Sequence, residues 1–593
     1  MSKQRSFRKR LLLLIPIGML IFAFFSIQNV SGKTTSNFNQ DRITFVFNPQ
    51  NNKSLNHYVY QTVERNGKNF HHYFSPHQFA NKFGQPNWVI KRLTNRLRRQ
   101  HLKTKAYQGR LIVVATGNSK DIKRVINLNQ RKKLMPRFAS NKILGIVKSN
   151  QTNQFKSNYY QSKIDYGNGS KDSNLINAGP RRFINRYDVS PLYENNQLGR
   201  GQSIGIISFA NFNPSDAYYY WNKQGIPAKS NRIKIINTSN KKPSWNQYDE
   251  TTNDVEQSGS IAPDANIDVY MGDTTAQGMI NALANAISAN QTSSLSISWG
   301  QSERLVQSEI KSGQIPKYYN GIINLLFKQA AAQGMSIFTS AGDNGAYDAI
   351  DENYDPELSV DTPAASPYVT AVGGTTLPYR VSNTLSVNQE RAWSNDFLYS
   401  IFDHRGLMNG SQSKFVQNYF AGTGGGFSKL NPIPPYQYHV KGTGTYNAIP
   451  LWLYKNKTLY RIAHPKLISG TSSGRNVPDI SVNADPNTGY AAYYSNPGHF
   501  NSNGHWAYTG GTSIVAPQMA AVAALVNSKN NVRSGFWNPQ IYQMATGNDS
   551  PFHPLDSIYN NNNLYYTGQK DAIYNQSTGL GTVDVAKLNH FFD

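Results

Sequence analysis

The spacing of apolar residues predicts an α/β domain in the larger, C-terminal part of the chain. From residue 187 onward, short apolar runs alternate with amphipathic segments. The apolar runs predict strands at 203–209, 232–236, 266–270, 294–299, 336–339 and 368–372. The segments between and after them include predicted helices at 216–224, 252–261, 279–289, 318–333 and 514–527. Strands that are apolar on both faces and separated by helices are typical of a mainly parallel sheet with helices on both faces.

A smaller α+β domain is predicted before it. Apolar runs at 43–47 and 110–115 predict strands, and periodic segments at 88–100 and 119–126 predict helices. We therefore divide the chain into a small domain at 33–148, a connecting region at 149–186 and a large domain at 187–593. Residues 149–180 are rich in Asn, Ser, Gly and Lys, which predicts a flexible linker open to cleavage near Arg181, Arg182 or Arg186.

The first 32 residues have the features of a secretion signal. Basic residues precede an apolar run at 11–25, and small residues follow at 30–32. The run is long for a signal peptide, so an uncleaved anchor is the alternative, although Pro16 weighs against it. In both cases we predict that residues 33–593 are extracellular.

Charge is distributed unevenly along the chain. The 593 residues include 60 Lys and Arg against 34 Asp and Glu, and the net charge of +26 by itself suggests a nucleic-acid binder. Residues 33–180 hold 26 basic and 5 acidic side chains, whereas 181–593 hold 29 of each. Because the excess lies in the small domain and linker, we predict no nucleic-acid partner, and anionic cell-surface polymers are an alternative partner for that segment. The absence of cysteine excludes disulfides, thiolate metal sites and a cysteine nucleophile.

A serine at the start of an apolar helix is the first candidate for chemistry. The sequence GGTSIVAP at 510–517 places Ser513 after a glycine pair and before the helix predicted at 514–527. A hydroxyl at a helix N-terminus lies where the dipole and free N–H groups favour negative charge, although an ordinary helix cap is the alternative. A nucleophilic serine needs a base, and no histidine lies between His101 and His404.

Three carboxylates are candidates for the base and its partners. Glu250 and Asp254 are four residues apart, so both lie on one helix face, where two close carboxylates can share a proton. The alternative is a solvated acidic face. Asp343 follows the strand predicted at 336–339 and lies between two glycines. As a neutral acid it could donate a hydrogen bond to an oxyanion, and a turn-stabilising aspartate is the alternative.

With further motifs, these residues resemble the sedolisin/kumamolisin family of serine-carboxyl peptidases. The similarity continues through LSISWG at 295–300, TPAASPYVTAVGGT at 362–375, GGGFS at 424–428, RNVPDIS at 475–481 and TGLG at 578–581. The sequence YFSPHQFANKF at 73–83 resembles the family's pro-kumamolisin-type activation domain. The resemblance covers nearly everything after the signal segment.

The resemblance implies a subtilisin-like fold and an acid-active endopeptidase made as a zymogen. Ser513 would be the nucleophile, Glu250 the general base, Asp254 the carboxylate that orients it and Asp343 the oxyanion partner. A carboxylate base with a pKa of about 4.3 still accepts protons at a pH that silences histidine.

The resemblance also implies partners for this enzyme. Polypeptides would be the substrates and the small domain the intramolecular inhibitor of a secreted monomer. We expect the positive prodomain to dock partly by electrostatic attraction and to loosen as carboxylates of the large domain protonate. A catalytically silent cell-surface binding protein on the same scaffold is the alternative.

A calcium site near the C-terminus is a further implication. The positions that match the family's ligands are Asp556, Ser557, Asp571, Ile573 and Asn575. The family's two glycines are absent and Asn575 replaces its second aspartate, yet carbonyl and amide oxygens can still bind Ca²⁺. A metal-free loop is the alternative. The segments 389–417 and 446–467 match no motif.

Overall fold

The computed structural model describes residues 40–130, 134, 141–148, 155–161, 178–456, 458–497 and 504–592. The predicted signal segment at 1–32 lies outside these residues. Within them, no helix combines the length and apolar character needed to cross a membrane.

The small domain is a four-stranded antiparallel sheet with helices packed on it. In spatial order its strands are Lys103–Ala106, Ile112–Gly117, Asp41–Phe47 and Ile143–Lys148. Its helices are Asn52–Gln61, Pro76–Lys82, Asn87–Arg98 and Ser119–Gln130. The last five residues of Asp41–Phe47 are all buried, because this central strand is covered on both faces. Ser75 and Gln78 form a capping box that fixes the start of Pro76–Lys82.

An eight-stranded sheet forms the centre of the large domain. Its strands follow the order Arg391–Ala392, Thr370–Thr376, Ser336–Ser340, Ser294–Ile297, Ser203–Ser208, Asn266–Met271 and Ile233–Asn237, and Ile480–Asn483 also pairs with Thr370–Thr376. Apart from Arg391–Ala392, the described neighbours are parallel. The segment predicted as one strand at 294–299 divides into Ser294–Ile297 and Trp299–Ser302. The predicted α/β fold with a mainly parallel sheet is confirmed.

Helices cover both faces of this sheet. The described α-helices of the large domain are Ser190–Glu194, Pro214–Lys223, Tyr248–Ile261, Ala276–Ala289, Glu303–Ser312, Tyr319–Ala332, Ile350–Asn353, Tyr399–His404, Gln412–Tyr419, Thr512–Ser528, Trp537–Ala545 and Val585–Phe591. Ala276–Ala289 and Tyr319–Ala332 share one core with Leu295 and Ile297. Thr512–Ser528 and Trp537–Ala545 share a second core with Phe338 and Val372.

Short strand pairs outside the central sheet build the loops around its edge. These pairs include Gly426–Pro432 with Gly474–Val477, Thr445–Ala448 with Ile468–Thr471 and Tyr566–Thr567, Trp452–Lys455 with Thr458–Arg461, Tyr379–Arg380 with Ser386–Val387, Trp299–Ser302 with Asp361–Thr362, Phe552–His553 with Thr582–Val583, and Tyr490–Tyr494 with His505–Gly510. The predicted insert at 446–467 therefore contains the hairpin Trp452–Arg461 and part of a three-stranded sheet.

The small domain and the large domain share a single apolar core. Buried Phe45 and Val113 belong to the same cluster as Leu283, Ile322 and Leu326. At the margin of this interface, Arg42 Nη1 donates to the carbonyl oxygen of Thr238 (2.6 Å) and Lys105 Nζ donates to Asn285 Oδ1 (2.7 Å). Apolar packing therefore contributes more to this docking than the charge distribution predicts.

The last part of the predicted linker is folded onto the large domain. Arg181–Arg186 is a helix whose Phe183 is fully buried in the large-domain core. Arg182 Nη1 donates to the carbonyl oxygen of Thr488 (2.6 Å), and Arg186 Nε donates to Glu390 Oε2 (2.8 Å). The sequence analysis assigns this segment to the connecting region at 149–186 and predicts no helix there, because few of its side chains are apolar.

Candidate active site

Ser513 lies in the first turn of the helix Thr512–Ser528, directly after the strand His505–Gly510. The turn requires Gly511, whose φ of 98° is in the region that favours glycine. The Ser513 side chain is fully buried, and its Oγ makes no hydrogen bond of ordinary geometry with the described residues. Its backbone N–H is one of the helix-terminal donors that have no partner within the helix.

Glu250 and Asp254 project from the helix Tyr248–Ile261, and both side chains are fully buried. This helix packs against Thr512–Ser528, and Gln518 Nε2 donates to Gln257 Oε1 across the contact (3.1 Å). The sequence therefore places two carboxylates in a core position instead of on a solvated face. The alternative of a surface acidic helix is excluded by this burial.

The pKa values of both carboxyl groups are raised. Burial is the main cause for Glu250, and the neighbouring charges of Asp254, Asp249 and Asp343 add to it. Burial likewise raises the pKa of Asp254, against a hydrogen bond from Ser298 that lowers it. No hydrogen bond of ordinary geometry joins Glu250 to Ser513, but the hydroxyl is near enough to favour the ionised carboxylate. Two such groups can share a proton, which leaves one of them able to accept another.

Ser298 links the acidic pair to the serine. Its Oγ lies 2.6 Å from Asp254 Oδ1, to which it donates, and 3.0 Å from the carbonyl oxygen of Ser513. The sequence motif at 295–300 contains this residue, but nothing in the motif reveals its contact. Ser298 is therefore a positioning residue that sequence reasoning missed.

Asp343 lies next to Thr512, the residue before Ser513, and follows the strand Ser336–Ser340. Its Oδ1 accepts hydrogen bonds from Thr512 N (2.8 Å) and Thr512 Oγ1 (2.7 Å), and Oδ2 has no partner among the described residues. Burial raises the pKa of Asp343 to about 8. The carboxyl group is therefore protonated at neutral and acid pH, and because Oδ1 is occupied as an acceptor, the proton lies on Oδ2.

A segment of the linker runs through this site as an added strand. Lys156–Ser157 pairs antiparallel with Trp299–Ser302, with Ser157 opposite Trp299. Beyond it, Tyr160–Gln161 pairs with the strand that leads to Ser513. Polar composition cannot predict this arrangement, because strand addition is made through backbone hydrogen bonds.

Asn158 lies between these two pairings and directly against the serine. Its N–H donates to the carbonyl oxygen of Ser298 (3.2 Å), and its own carbonyl oxygen accepts a hydrogen bond from Ser513 N (2.9 Å). The site thus holds one backbone carbonyl against a serine that lies close to a pair of carboxyl groups and to a third acid. This arrangement has the groups needed for nucleophilic attack and for stabilisation of an oxyanion.

Comparisons with known proteins identify the family of this chain. The model of the "Subtilase family" matches residues 247–581, more than half of the chain. The chain belongs to the subtilase family. The model "Pro-kumamolisin, activation domain" matches residues 28–131 of this subtilase and overlaps the predicted prodomain. The predicted sedolisin/kumamolisin relationship is confirmed.

Curated relatives carry the same family names. This subtilase is 30% identical over 65% of its length to kumamolisin from Bacillus sp., and 26% identical over 70% to sedolisin from Pseudomonas sp.. It spans 58% and 60% of the lengths of those relatives. A solved structure of Pseudomonas sedolisin is also similar to this chain; its title describes a serine-carboxyl proteinase complexed with two molecules of pseudo-iodotyrostatin. The alignment covers 66% of this chain and 93% of the sedolisin chain, with 24% sequence identity and a TM-score of 0.49.

The five residues predicted as calcium ligands do not form a cation site. Asn575 Oδ1 accepts hydrogen bonds from Ser577 Oγ (2.6 Å) and from the backbone of Ser577 and Thr578 (3.1 and 3.0 Å), so its lone pairs are occupied. Asp556 Oδ2 accepts from Asp571 N (2.9 Å). In the described part of the chain, no three His, Asp or Glu side chains lie close enough together to hold a metal ion.

An amide group occupies the centre of this loop instead. Asn561 Nδ2 donates to the carbonyl oxygen of Leu555 (2.6 Å) and to Ser577 Oγ (2.9 Å), and it lies 3.2 Å from Thr578 Oγ1. Asn575 Nδ2 also donates to Leu555 (3.0 Å). Oxygen atoms that could surround a cation at Asn575 therefore surround an amide nitrogen, and this arrangement does not fit a calcium ion at that position.

We expect a chelator to leave the stability of this protein unchanged. Because amide donors hold the loop, EDTA should move the melting temperature by less than about 1 °C, whereas Asn561→Ala should lower the free energy of unfolding by about 1–3 kcal/mol by leaving buried oxygens unpaired. Differential scanning calorimetry with EDTA and with added Ca²⁺ tests both. A chelator-induced fall of several degrees that Ca²⁺ reverses would contradict the amide-centred loop.

Proposed function

We propose that the chain is the zymogen of a secreted serine-carboxyl endopeptidase. In this proposal residues 1–32 are a signal peptide, 33–148 the activation prodomain, 149–186 the linker and 187–593 the peptidase domain. Ser513 is the nucleophile, Glu250 the general base, Asp254 the carboxylate that orients it and Asp343 the oxyanion partner. The observation that carries the proposal is the hydrogen bond from Ser513 N to the carbonyl oxygen of a strand bound across the site.

The geometry supports a conventional acyl-transfer sequence. Ser513 Oγ attacks a peptide carbonyl carbon while its proton passes to Glu250, and the oxyanion is stabilised by Ser513 N–H and the protonated Asp343 Oδ2. The intermediate then collapses, and the proton moves from Glu250 to the leaving amine. Water, deprotonated by Glu250, releases the acyl group from Ser513. Asp254, fixed by Ser298, keeps Glu250 in a shared-proton pair.

The prodomain and linker account for inhibition before activation. The linker covers the site, and burial raises the pKa of Glu250, so a smaller fraction of the base is ionised at a given pH in the zymogen than in an open site. Removal of the linker admits water, which lowers the pKa values of Glu250 and Asp343 toward ordinary carboxyl values. This shifts the working range of the processed enzyme toward acid pH. A catalytically silent binding protein has no support, since all four catalytic positions are filled and converge.

Labelling of Ser513 tests the proposed function. A biotinylated fluorophosphonate should modify the processed protein at Ser513, and the processed protein should hydrolyse casein at pH 4. Ser513→Ala should abolish the label and lower hydrolysis by at least about 10⁴-fold. Because the Ser513→Ala variant cannot process itself, its linker is cleaved in trans by added active enzyme before the assay. A processed wild-type protein that neither takes the label nor cleaves casein between pH 3 and 8 would overturn the proposal.

A further inference from the structure

The position of Asn158 identifies one bond of the linker as a substrate of the site. Its carbonyl oxygen accepts from Ser513 N, and its N–H donates to Ser298. The residues before it pair with Trp299 and Gly300, and the residues after it pair with Thr509 and Gly510. Backbone pairing on both sides holds the Asn158–Tyr159 peptide in register across the serine, whereas neighbouring peptides of the strand lack the contact with Ser513.

The side chain of Asn158 is held in a polar pocket. It is buried, and its Nδ2 donates to Ser340 Oγ (2.7 Å) and lies 3.5 Å from Asp361 Oδ2. Gly300 permits the close approach of this carboxyl group to the bound strand, because a Cβ at position 300 would lie 2.1 Å from Asp361 Oδ2. The pocket therefore accommodates a side chain of the length of asparagine.

The acidic groups of the pocket suit an amide better than a cation. Asp361 and Asp348 are both buried, and burial is the main cause that raises the pKa of each. The charge of Asp361 adds to the rise for Asp348, and the charges of Glu352 and Asp343 add to it for Asp361. Asp361 Oδ1 and Asp348 Oδ2 have no hydrogen-bond partner among the described residues, so each can carry a proton. Buried carboxyl groups with raised pKa values and a hydroxyl offer donors and acceptors to an amide, and they offer less negative charge to a lysine or arginine than exposed carboxylates would.

We propose that the Asn158–Tyr159 peptide is the first bond cleaved in activation, and that the site takes peptides with an asparagine immediately before the scissile bond. The inference rests on the proposed function of the same site. Ser513 Oγ forms an ester with the Asn158 carbonyl carbon as the C–N bond to Tyr159 breaks, and Tyr159 leaves as a free amine with the proton carried by Glu250. Hydrolysis of the ester then leaves a carboxyl group on Asn158 and returns the proton to Ser513.

This differs from the cleavage positions that the sequence suggests. A folded helix contains Arg181, Arg182 and Arg186. Two of them, Arg182 and Arg186, donate hydrogen bonds to the peptidase domain. A helical peptide cannot enter a site that binds its substrate as an extended strand. Cuts at those arginines would require the helix to unfold first.

The test is the earliest cleavage of the full-length purified chain. In a time course between pH 4 and 7, the first new N-terminus should be Tyr159 and the released fragment should end at Asn158 by intact mass, with neither product formed by Ser513→Ala. Arg181→Gln should leave the first cut unchanged, because Arg181 is exposed and lies outside the bound strand. A Ser513-dependent first cut at another bond would overturn the inference and leave the proposed function intact.

Replacement of Asn158 tests the amide specificity. Asn158→Leu should slow the first cut about 10- to 100-fold, because Ser340 Oγ and Asp361 lose their partner, whereas Asn158→Gln should stay within about tenfold of the wild type. The peptide Lys-Ser-Asn-Tyr-Tyr-Gln and its Leu and Lys versions repeat the comparison with processed enzyme as kcat/KM. A Leu or Lys peptide cleaved as fast as the Asn peptide would overturn the amide assignment. If the processed enzyme cleaved neither the peptides nor casein, the proposed function itself would be overturned.

Discussion

Glu250→Gln is expected to slow cleavage of the linker by about 10²- to 10⁴-fold at pH values above the raised pKa of Glu250, where the wild-type base is ionised. Glutamine keeps the size of the side chain and its buried position, but its amide cannot accept the proton of Ser513 Oγ. No histidine lies at the site to replace it, since the described surroundings of Ser513 are Glu250, Asp254, Asp343, Ser298 and Thr512. The rate is measured by gel densitometry of the full-length chain, and fluorophosphonate labelling of Ser513 should fall in parallel.

Asp249→Asn is the matched control for this change. Asp249 lies on the same helix next to Glu250 and also raises its pKa, but it is half-buried and makes no contact with Ser513. We expect a change of no more than a few-fold in the same assay. If Glu250→Gln retained more than a tenth of the wild-type rate with an unchanged melting temperature, Glu250 could not be the general base.

Substitutions of Asp343 should distinguish the effect of its ionisation on the cleavage rate from the effect of the hydrogen bond that it donates. The wild-type carboxyl group donates only when protonated, so activity that depends on it is present below its pKa of about 8 in the linker-covered site and is lost as pH rises through that value. Asp343→Asn keeps an acceptor for Thr512 and a permanent N–H donor. Its rate should stay within about tenfold of the wild type and should no longer fall near pH 8.

Asp343→Ala removes the donor and should cost about 10²- to 10³-fold below pH 8, where the wild-type carboxyl group is protonated. Glu250 must be ionised to act, so the rate of all three proteins should fall as pH decreases through its raised pKa. Rates of linker cleavage between pH 4 and 9.5 give the profiles. An unchanged alkaline fall in Asp343→Asn, or full activity in Asp343→Ala, would show that the oxyanion is stabilised without this residue.

Much of the fold could be predicted because buried strands consist mainly of apolar residues. The strands Ser203–Ser208 and Asn266–Met271 are buried on both faces and therefore read as continuous apolar runs. Ser513, Glu250, Asp254 and Asp343 were recognisable because each lies in a short motif at the end of a strand or on a predicted helix. The structure brings these four residues together.

The linker contains strands and a helix that the sequence patterns do not predict. Residues 156–161 are polar, yet they form strands, because their pairing uses backbone groups that every sequence possesses. Arg181–Arg186 buries only Phe183, too few apolar residues to show helical periodicity. At the predicted calcium loop, the decisive residue is Asn561, which lies outside the aligned positions and acts through distances that sequence cannot supply.

A structure of the processed protein with a peptide aldehyde bound to Ser513 tests the central claim most directly. The aldehyde carbon should be bonded to Ser513 Oγ, with Glu250 within about 3 Å of Oγ and with the hemiacetal oxygen within hydrogen-bond distance of both Ser513 N and Asp343 Oδ2. An adduct whose oxygen points away from Asp343, or a Glu250 carboxyl group too far from Oγ to bond directly or through one water, would contradict the assignment of a carboxylate base and a neutral carboxylic acid to this subtilase.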